Sequence, residues 1–300
     1  MLLGEMVLKQ EVRSLSFLVL VLGCFFLVSG CKGEQPNKKL QEEISTLQQE
    51  NSKLKAENDL LKVQLSNPAD KTTPSATPVA TKSPLPVAFE DIKGVFGEKE
   101  ITQLGQLGVF NTTSGKFEPQ KPITRAEFVR WLVRANNAIF AESPDKTLRL
   151  PDTGKATFSD IPPTHPDFRY IQGMADAGYL IGYDEKTFQP DQPLTREQMI
   201  AIKAGLDHRG AFEEHTGGAP GGWTDSDKIA KKYWRALYFE NVLQANANIG
   251  RVFGTIKTFK PQEPVTRAEA AVCVSAIGDN ISGLTTAESV LQKRSVQASP

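Results

Sequence analysis

The stretch that decides the fold occurs three times in the 300-residue chain, each time as two prolines after a Phe, then an aliphatic residue, Thr and Arg. The copies read Phe117-Glu-Pro-Gln-Lys-Pro-Ile-Thr-Arg125, Phe188-Gln-Pro-Asp-Gln-Pro-Leu-Thr-Arg196 and Phe259-Lys-Pro-Gln-Glu-Pro-Val-Thr-Arg267. Both steps, from 117 to 188 and from 188 to 259, are 71 residues. A fixed spacing of this kind is the signature of a repeat architecture.

Each copy ends in the signal that begins a helix. The Thr stands at the expected N-cap, and Glu or Gln follows three positions later, as in a capping box. The pairs are Thr124 with Glu127, Thr195 with Gln198, and Thr266 with Glu269. Apolar residues continue at helical spacing, so the sequence predicts a helix directly after each copy.

An earlier helix is predicted in each unit. Its apolar pairs are Ile101 with Leu104, Ile171 with Met174, and Trp234 with Leu237. Four positions later stand residue types that end helices in a left-handed conformation, namely Gly108, Gly178 and Asn241. An aromatic residue two positions before an Asp precedes each helix, at Asp91, Asp160 and Asp225. We therefore define repeat 1 as 87–141, repeat 2 as 155–207 and repeat 3 as 221–282.

The N-terminus has the pattern of a targeting segment. Basic residues precede an apolar run, 15–28, that is shorter than the roughly 20 residues of a membrane span. The run ends in Ser29-Gly30-Cys31, which resembles the lipidation box of bacterial lipoproteins. The resemblance implies a signal peptide over 1–30, a lipid on Cys31 and a lipidated N-terminus over 31–37. An ordinary signal peptide cut nearby, or an uncleaved anchor, is the alternative.

Residues 38–66 have the heptad pattern of a coiled coil. Leu recurs every seven residues from Leu40 to Leu61, and Asn51 and Asn58 occupy the other core register. Buried Asn pairs and attracting flanking charges favour a parallel homodimer, with a trimer as the second possibility. Residues 67–86 are rich in Pro, Thr, Ala and Ser, which predicts an extended, disordered linker. Residues 283–300 are assigned as a polar tail.

The repeats resemble S-layer homology (SLH) modules over most of 87–282. The helix-start signature of that family stands intact at Ile123-Thr-Arg-Ala-Glu127 and nearly so at Val265-Thr-Arg-Ala-Glu269. Repeat 2 matches best before its motif, with Gly178-Tyr-Leu-Ile-Gly-Tyr-Asp-Glu-Lys-Thr-Phe188. The resemblance implies an all-α fold in which three helical modules form a pseudo-threefold body, with grooves between modules that bind cell-wall polysaccharide. Repeat 1 lacks the glycine-rich turn and repeat 3 has an insertion around 245–255, so the number of binding grooves stays open.

The motif arginines are the main candidate ligand contacts. Arg125, Arg196 and Arg267 stand in the first helical turn, where the helix dipole disfavours a cation. A guanidinium beside a helix N-terminus suits an acidic sugar. The alternative is an ion pair within each repeat, with the early Asp as partner. Asp91, Asp160 and Asp225 join the arginines as candidate polysaccharide-binding residues.

Composition and motifs argue against several other functions. With 35 basic and 35 acidic residues the chain has no net charge, which disfavours a nucleic-acid binder. No nucleophile, phosphate-loop or metal-ligand pattern occurs, so we expect no enzyme, no cofactor and no metal site. Cys273 falls on the apolar face of the third predicted helix and is interpreted as a packing residue.

Two functions fit the pattern. The first is a lipid-anchored protein that binds peptidoglycan or its attached polysaccharide non-covalently and tethers a membrane to the cell wall. The second is an assembly protein whose modules bind S-layer or porin partners. Either places the chain outside the cytoplasm, facing the wall: at the outer membrane or periplasm of a diderm cell, or at the surface of a monoderm cell.

Overall fold

The computed structural model describes residues 84–183, 185–210, 212, 217–243, 247–279 and 283–297. They belong to one compact unit of the chain. The predicted signal peptide, Cys31, the coiled coil and linker residues 67–83 lie outside the described residues and stay predictions. Within the described part, no helix is both long enough and apolar enough to cross a bilayer.

The described unit is mostly helical, as an all-α fold requires. Repeat 1 contains α1 (Glu98–Gln106) and α2 (Arg125–Ile139), and repeat 2 contains α3 (Phe168–Asp176) and α4 (Arg196–His208). Repeat 3 contains α5 (Trp234–Leu243), α6 (Asn248–Phe253) and α7 (Arg267–Val274). A C-terminal helix, α8 (Ala287–Gln297), follows. Each repeat therefore has the predicted early helix and the predicted helix after its motif.

Strands are short. β1 (Ala88–Phe89) pairs in parallel with β2 (Ser114–Gly115) inside repeat 1. β3 (Ala276–Asp279) and β4 (Gly283–Thr286) form an antiparallel hairpin, with Ala276 opposite Thr286. β4 and α8 occupy residues that the sequence left as a polar tail, whereas β3 lies in repeat 3. Lys99 bonds to Glu288 of α8, and the Arg294 guanidinium donates to the Ala138 carbonyl, so the tail packs against repeat 1.

The predicted capping box is complete in α7, and one half of it forms in each of α4 and α2, where the Thr195 hydroxyl stays without a partner and Glu127 bonds elsewhere. In α7 the Thr266 hydroxyl accepts from the Glu269 N–H and the Glu269 carboxylate accepts from the Thr266 N–H. In α4 the Gln198 side chain accepts from the Thr195 N–H. In α2 the Thr124 hydroxyl accepts from the Glu127 N–H, while the Glu127 carboxylate contacts Arg267 of repeat 3 instead.

Backbone hydrogen bonds join the three motifs in a cycle. The Ile123 N–H donates to the Val265 carbonyl at 3.1 Å, Val265 donates to Leu194 at 2.9 Å, and Leu194 donates to Ile123 at 2.9 Å. All three side chains are fully buried. The aliphatic position of the motif is therefore where the repeats meet, and repeat 3 bonds to repeat 1 as well as to repeat 2.

Each motif also caps the helix of the preceding repeat. The N–H groups of Arg125 and Ala126 donate to the carbonyls of Gln192 and Pro190, and the same pair of bonds recurs from repeat 2 to repeat 3 and from repeat 3 to repeat 1. The first N–H groups of a helix have no partner inside it. Neighbouring repeats thus supply acceptors that no repeat supplies for itself.

Repeat 3 departs from the predicted boundaries. The prediction that Asn241 ends the early helix is wrong, because α5 continues to Leu243 and Asn241 stays outside the left-handed region. Gly108 and Gly178 do adopt positive φ angles after α1 and α3. The insertion explains the difference: the chain continues past Asn241 and then forms α6 before the motif.

Candidate functional site

The motif arginines reach across to the next repeat. The Arg125 side chain donates to the Phe188 carbonyl at 2.8 Å, Arg196 to the Phe259 carbonyl at 3.3 Å, and Arg267 to the Phe117 carbonyl at 2.7 Å. Each guanidinium also lies against an aromatic ring, with the nearest ring centre 4.2 to 4.8 Å away. An arginine in the first helical turn is stabilised here by contacts between repeats.

The candidate aspartates hold the same turns from the other side. Each carboxylate accepts the N–H of the motif Phe and of the next residue, at 2.7 to 2.8 Å. The pairs are Asp91 with Phe117 and Glu118, Asp160 with Phe188 and Gln189, and Asp225 with Phe259 and Lys260. The second residue of every pair has a positive φ of 55 to 58°. Each aspartate therefore stabilises a strained turn.

These hydrogen bonds change the pKa of Asp91. Burial acts to raise the pKa of Asp91, but the hydrogen bonds from Phe117 and Glu118 outweigh it and leave the pKa below its ordinary value. The structure brings the aspartates and arginines to the same Phe turns, yet it forms no ion pair between them among the described residues. The alternative of an ion pair with the early Asp within a repeat is therefore not realised in this part of the chain.

Arg125 is sealed inside the protein. The residue is 1% exposed, and its guanidinium lies 5.1 Å from the Tyr183 ring centre. Burial lowers the pKa of Arg125, and its Nη2 has no hydrogen-bond partner. The adjoining cavity has a volume of about 10 Å³, which leaves room for at most one water molecule. A sugar has no room beside Arg125 in this conformation.

The positive charge of Arg267 is neutralised by an ion pair with repeat 1. Its guanidinium contacts the Glu127 carboxylate of repeat 1 and packs 4.8 Å from the Trp131 ring centre. Glu127 also lies 3.7 Å from Arg130, which pairs with Asp167 of repeat 2. This chain of ion pairs joins the three repeats and leaves the positive charge of Arg267 balanced.

Arg196 has a different environment. Its carboxylate neighbours, Glu263 and Glu269, both lie 3.6 Å away, too far for good hydrogen bonds. The Arg196 Nε is a buried atom without a hydrogen-bond partner, whereas the Glu263 Oε2 lies 3.1 Å from the Lys260 Nζ. Buried polar groups are nearly always paired, so the open donor of Arg196 suggests a site for a polar ligand.

A groove of about 330 Å³ opens at Arg196. We call it the Arg196 groove. Repeat 1 contributes Phe96 and Gln120, repeat 2 contributes Arg196, and repeat 3 contributes residues that include Val252, Phe253, Ile256 and Glu269. Its volume is within the range of binding pockets. Phe96 is 51% exposed, and the Arg196 guanidinium lies 4.2 Å from the Phe253 ring centre.

Sequence reasoning missed most of this groove. Val252 and Phe253 belong to α6, in the insertion whose position the sequence marked but whose fold it did not predict. Phe96 stands outside the repeated motif, two residues before α1. Gln198, where the other repeats have Glu, lines the small cavity beside Arg125 of repeat 1, a placement that the sequence did not predict.

No cluster of three or more His, Cys, Asp or Glu that could hold a metal ion occurs in the described part of the chain. The interpretation of Cys273 as a packing residue is confirmed, since it is fully buried. Burial raises the pKa of the Cys273 thiol to about 12, which keeps it protonated and unreactive.

Comparison with known families supports an SLH-module protein. Residues 88–129, 157–200 and 255–271 match the profile of the S-layer homology domain. The three matches fall in repeats 1, 2 and 3, and the first two run through the helix starts at Arg125 and Arg196. The third match begins in the insertion and ends inside α7.

The relatives are longer proteins of several kinds. An amylopullulanase of Thermoanaerobacterium thermosulfurigenes is 29% identical over 62% of this chain but 9% of its own length. A surface-layer 125 kDa protein of Lysinibacillus sphaericus is 28% identical over 64% of this chain and 15% of its own. A cellulosome-anchoring protein of Acetivibrio thermocellus is 29% identical over 39% and 25%. The chain thus spans a quarter or less of each of these relatives.

Proposed function

We propose that this chain is a lipid-anchored envelope protein that binds cell-wall polysaccharide non-covalently through its SLH modules and tethers a membrane to the wall. The three modules form a pseudo-threefold all-α body, which the cycle of backbone bonds among Ile123, Leu194 and Val265 supports. The SLH matches and the surface-layer and cellulosome-anchoring relatives support a role at the cell surface. Catalysis has no part in the proposal.

The Arg196 groove is the observation that carries the proposal. It combines an exposed aromatic ring with a guanidinium that keeps one unpaired donor, in a cleft of about 330 Å³. A sugar ring has apolar faces and polar edges, so Phe96 suits its face while Arg196 suits a carboxylate on its edge. We propose that Arg196 contacts the ligand, and that Arg125, Arg267 and the three aspartates hold the modules in place.

Co-sedimentation with purified sacculi tests the proposal. The chain from Lys32 onward is mixed with intact sacculi and with sacculi from which acid has stripped the attached polymers. Binding lost on stripping identifies a secondary polysaccharide as the ligand, and binding retained identifies peptidoglycan. Binding to neither contradicts the proposal. Ordered self-assembly without glycan would then support the alternative, an assembly protein with S-layer or porin partners.

Phe96→Ala is the variant that tests the groove. Phe96 is largely exposed, so its loss leaves the core intact, and we expect sacculus binding about tenfold weaker from the loss of one stacked ring. Leu85→Ala is the matched control, because Leu85 is 43% exposed and does not line the groove. Equal binding by Phe96→Ala and the unmodified chain would rule the groove out as the ligand site.

The N-terminal part completes the tether. We propose a signal peptide over 1–30, a lipid on Cys31, a parallel coiled-coil dimer over 38–66 and an extended linker over 67–86. Metabolic labelling with a radioactive fatty acid tests the anchor: the unmodified chain should take up the label, and Cys31→Ser should not. Label on Cys31→Ser would contradict lipidation at this residue.

A further inference from the structure

A second cavity, of about 610 Å³, shares no lining residue with the Arg196 groove. We call it the Arg209 cavity. Its walls come from the segment 145–149 that connects repeats 1 and 2, from the last turn of α3, and from Gly278 and Gly283 of the hairpin. Phe140, Leu148 and Ala177 provide apolar surface. The cavity volume is typical of sites for small ligands.

Neutral acceptors hold the Arg209 guanidinium in this cavity. Arg209 caps α4 in the left-handed conformation, with a φ of 57°, which is strained for a residue with a side chain. The guanidinium donates to the Lys146 carbonyl and to the Asn136 side-chain oxygen, both at 2.8 Å. Burial lowers the pKa of Arg209, and the charges of Asp145 and Asp207 act against that change. Among the described residues Arg209 forms no ion pair, and Asp207 pairs with Lys203 instead.

The remaining wall carries charges of both signs. Arg149 is exposed at the cavity, and Asp145 and Asp176 supply exposed carboxylates. One oxygen of Asp176 accepts from the Gln172 amide at 2.6 Å, which orients the carboxylate. Gly173 lets the connecting segment approach α3 closely, because an added Cβ would lie 2.4 Å from the Arg149 carbonyl oxygen. This approach brings Arg149 and Asp176 to one cavity.

We propose that the Arg209 cavity binds a zwitterionic peptide, one that carries a free ammonium and a carboxylate on small residues. Arg149 and Arg209 face the carboxylate, Asp145 and Asp176 face the ammonium, and Phe140 and Leu148 contact the small side chains. The short peptides that cross-link wall glycan present both groups on small residues. The inference rests on the proposed wall binding and extends it from sugar to peptide.

Calorimetry with soluble wall fragments tests this inference. The chain from Lys32 onward is titrated with sugar-free wall peptides that an amidase releases from sacculi, either untreated, amine-acetylated or carboxyl-amidated. We expect the untreated fragments to bind and each modified form to bind about fivefold more weakly, the loss expected when one exposed ion pair is removed. Equal binding of all three forms, or no binding of the untreated fragments, would overturn the proposal.

Three arginine and aspartate variants locate the binding. Arg149→Ala and Asp176→Ala, both at exposed residues, should each weaken fragment binding about fivefold. Arg169→Ala is the matched control on α3, since Arg169 is exposed and pairs with Asp152 outside the cavity. Unchanged binding by both cavity variants would contradict the site.

The experiments can refute the wall tether and the Arg209 cavity independently of each other. Phe96→Ala should weaken binding to intact sacculi while it leaves the affinity for soluble peptide fragments unchanged. Fragment binding without any sacculus binding would refute the wall tether and keep the Arg209 cavity. Sacculus binding without fragment binding would refute the cavity and keep the tether.

Discussion

At the residue scale, the clearest contrast is between the three aspartates, which hold their turns, and Arg196, which keeps an open donor at a groove. Asp225 is 6% exposed and accepts two backbone hydrogen bonds at 2.8 Å, whereas the Arg196 Nε is buried without a partner. The Asp225 oxygens keep free lone pairs, but the side chain is too buried for a sugar to reach them. The motif therefore divides its polar residues between holding the turn and facing the groove.

The variant Asp225→Ala tests this division. It leaves the N–H groups of Phe259 and Lys260 unpaired at a strained turn, so we expect a loss of about 2 kcal/mol in the free energy of unfolding. Urea denaturation measures the loss, and the exposed neighbour Asp227→Ala is the control. Sacculus binding per folded molecule should not change. Binding lost at unchanged stability would instead make Asp225 a ligand contact.

The sequence predicted the repeated residues well and their partners poorly. Thr266 and Glu269 cap α7 as the spacing required, because capping depends on residues within one turn. The contacts of Arg196 and Arg267 join residues about 63 and 150 positions apart, and no local pattern encodes them. Phe96 and Phe253 escaped prediction for the same reason, since only packing between repeats brings them to one groove.

At the element scale, the insertion helix α6 links a buried polar network to the wall of the Arg196 groove. The Asn248 amide donates to Glu240 at 2.7 Å and to Asp207 at 2.9 Å, and Lys203 pairs with Asp207. Val252 and Phe253, on the same helix, line the groove. The groove wall is thus anchored through groups whose charge depends on pH.

Glu240→Gln should remove a pH dependence of stability. Burial raises the pKa of Glu240 from 4.5 to about 7, and the charge of Asp207 adds to the rise. The unfolded chain therefore loses this proton at lower pH than the folded one. The free energy of unfolding should fall as pH rises from 4.5 to 7, by about 3 kcal/mol from this group, and stay low above 7.

Urea denaturation at pH 5, 7 and 8.5 measures this effect. The free energy of unfolding of Glu240→Gln should not fall between pH 5 and 7. At pH 8.5 it should be higher than that of the unmodified chain. Glu90→Gln, at an exposed carboxyl, is the control and should keep the dependence. The same pH profile for Glu240→Gln and the unmodified chain would show that Glu240 does not titrate in the folded protein.

At the scale of the whole molecule, the repeats differ from a linear array. In an array each unit contacts only its neighbours, and stability is close to a sum over units and interfaces. Here repeat 3 donates from Arg267 and Ala268 to the Lys121 and Pro119 carbonyls of repeat 1, and α8 also packs on repeat 1. The sequence spacing predicts three repeats for a linear array and for a closed arrangement alike. Only the structure shows the contacts between repeat 3 and repeat 1.

Removing repeat 3 should therefore lower the free energy of unfolding by more than the contribution of one repeat. A chain of residues 84–210 loses the acceptors for the first N–H groups of α4 and the donors to the motif of repeat 1, so two interfaces disappear together. We expect 84–300 to unfold in one cooperative transition and 84–210 to show none, as measured by calorimetry and by circular dichroism in urea. A linear array would instead leave 84–210 with a cooperative transition near that of the longer chain. That result would mean that the contacts of repeat 3 with repeat 1 contribute little free energy. The Arg196 groove, which needs all three repeats, would then lie at a weakly held interface.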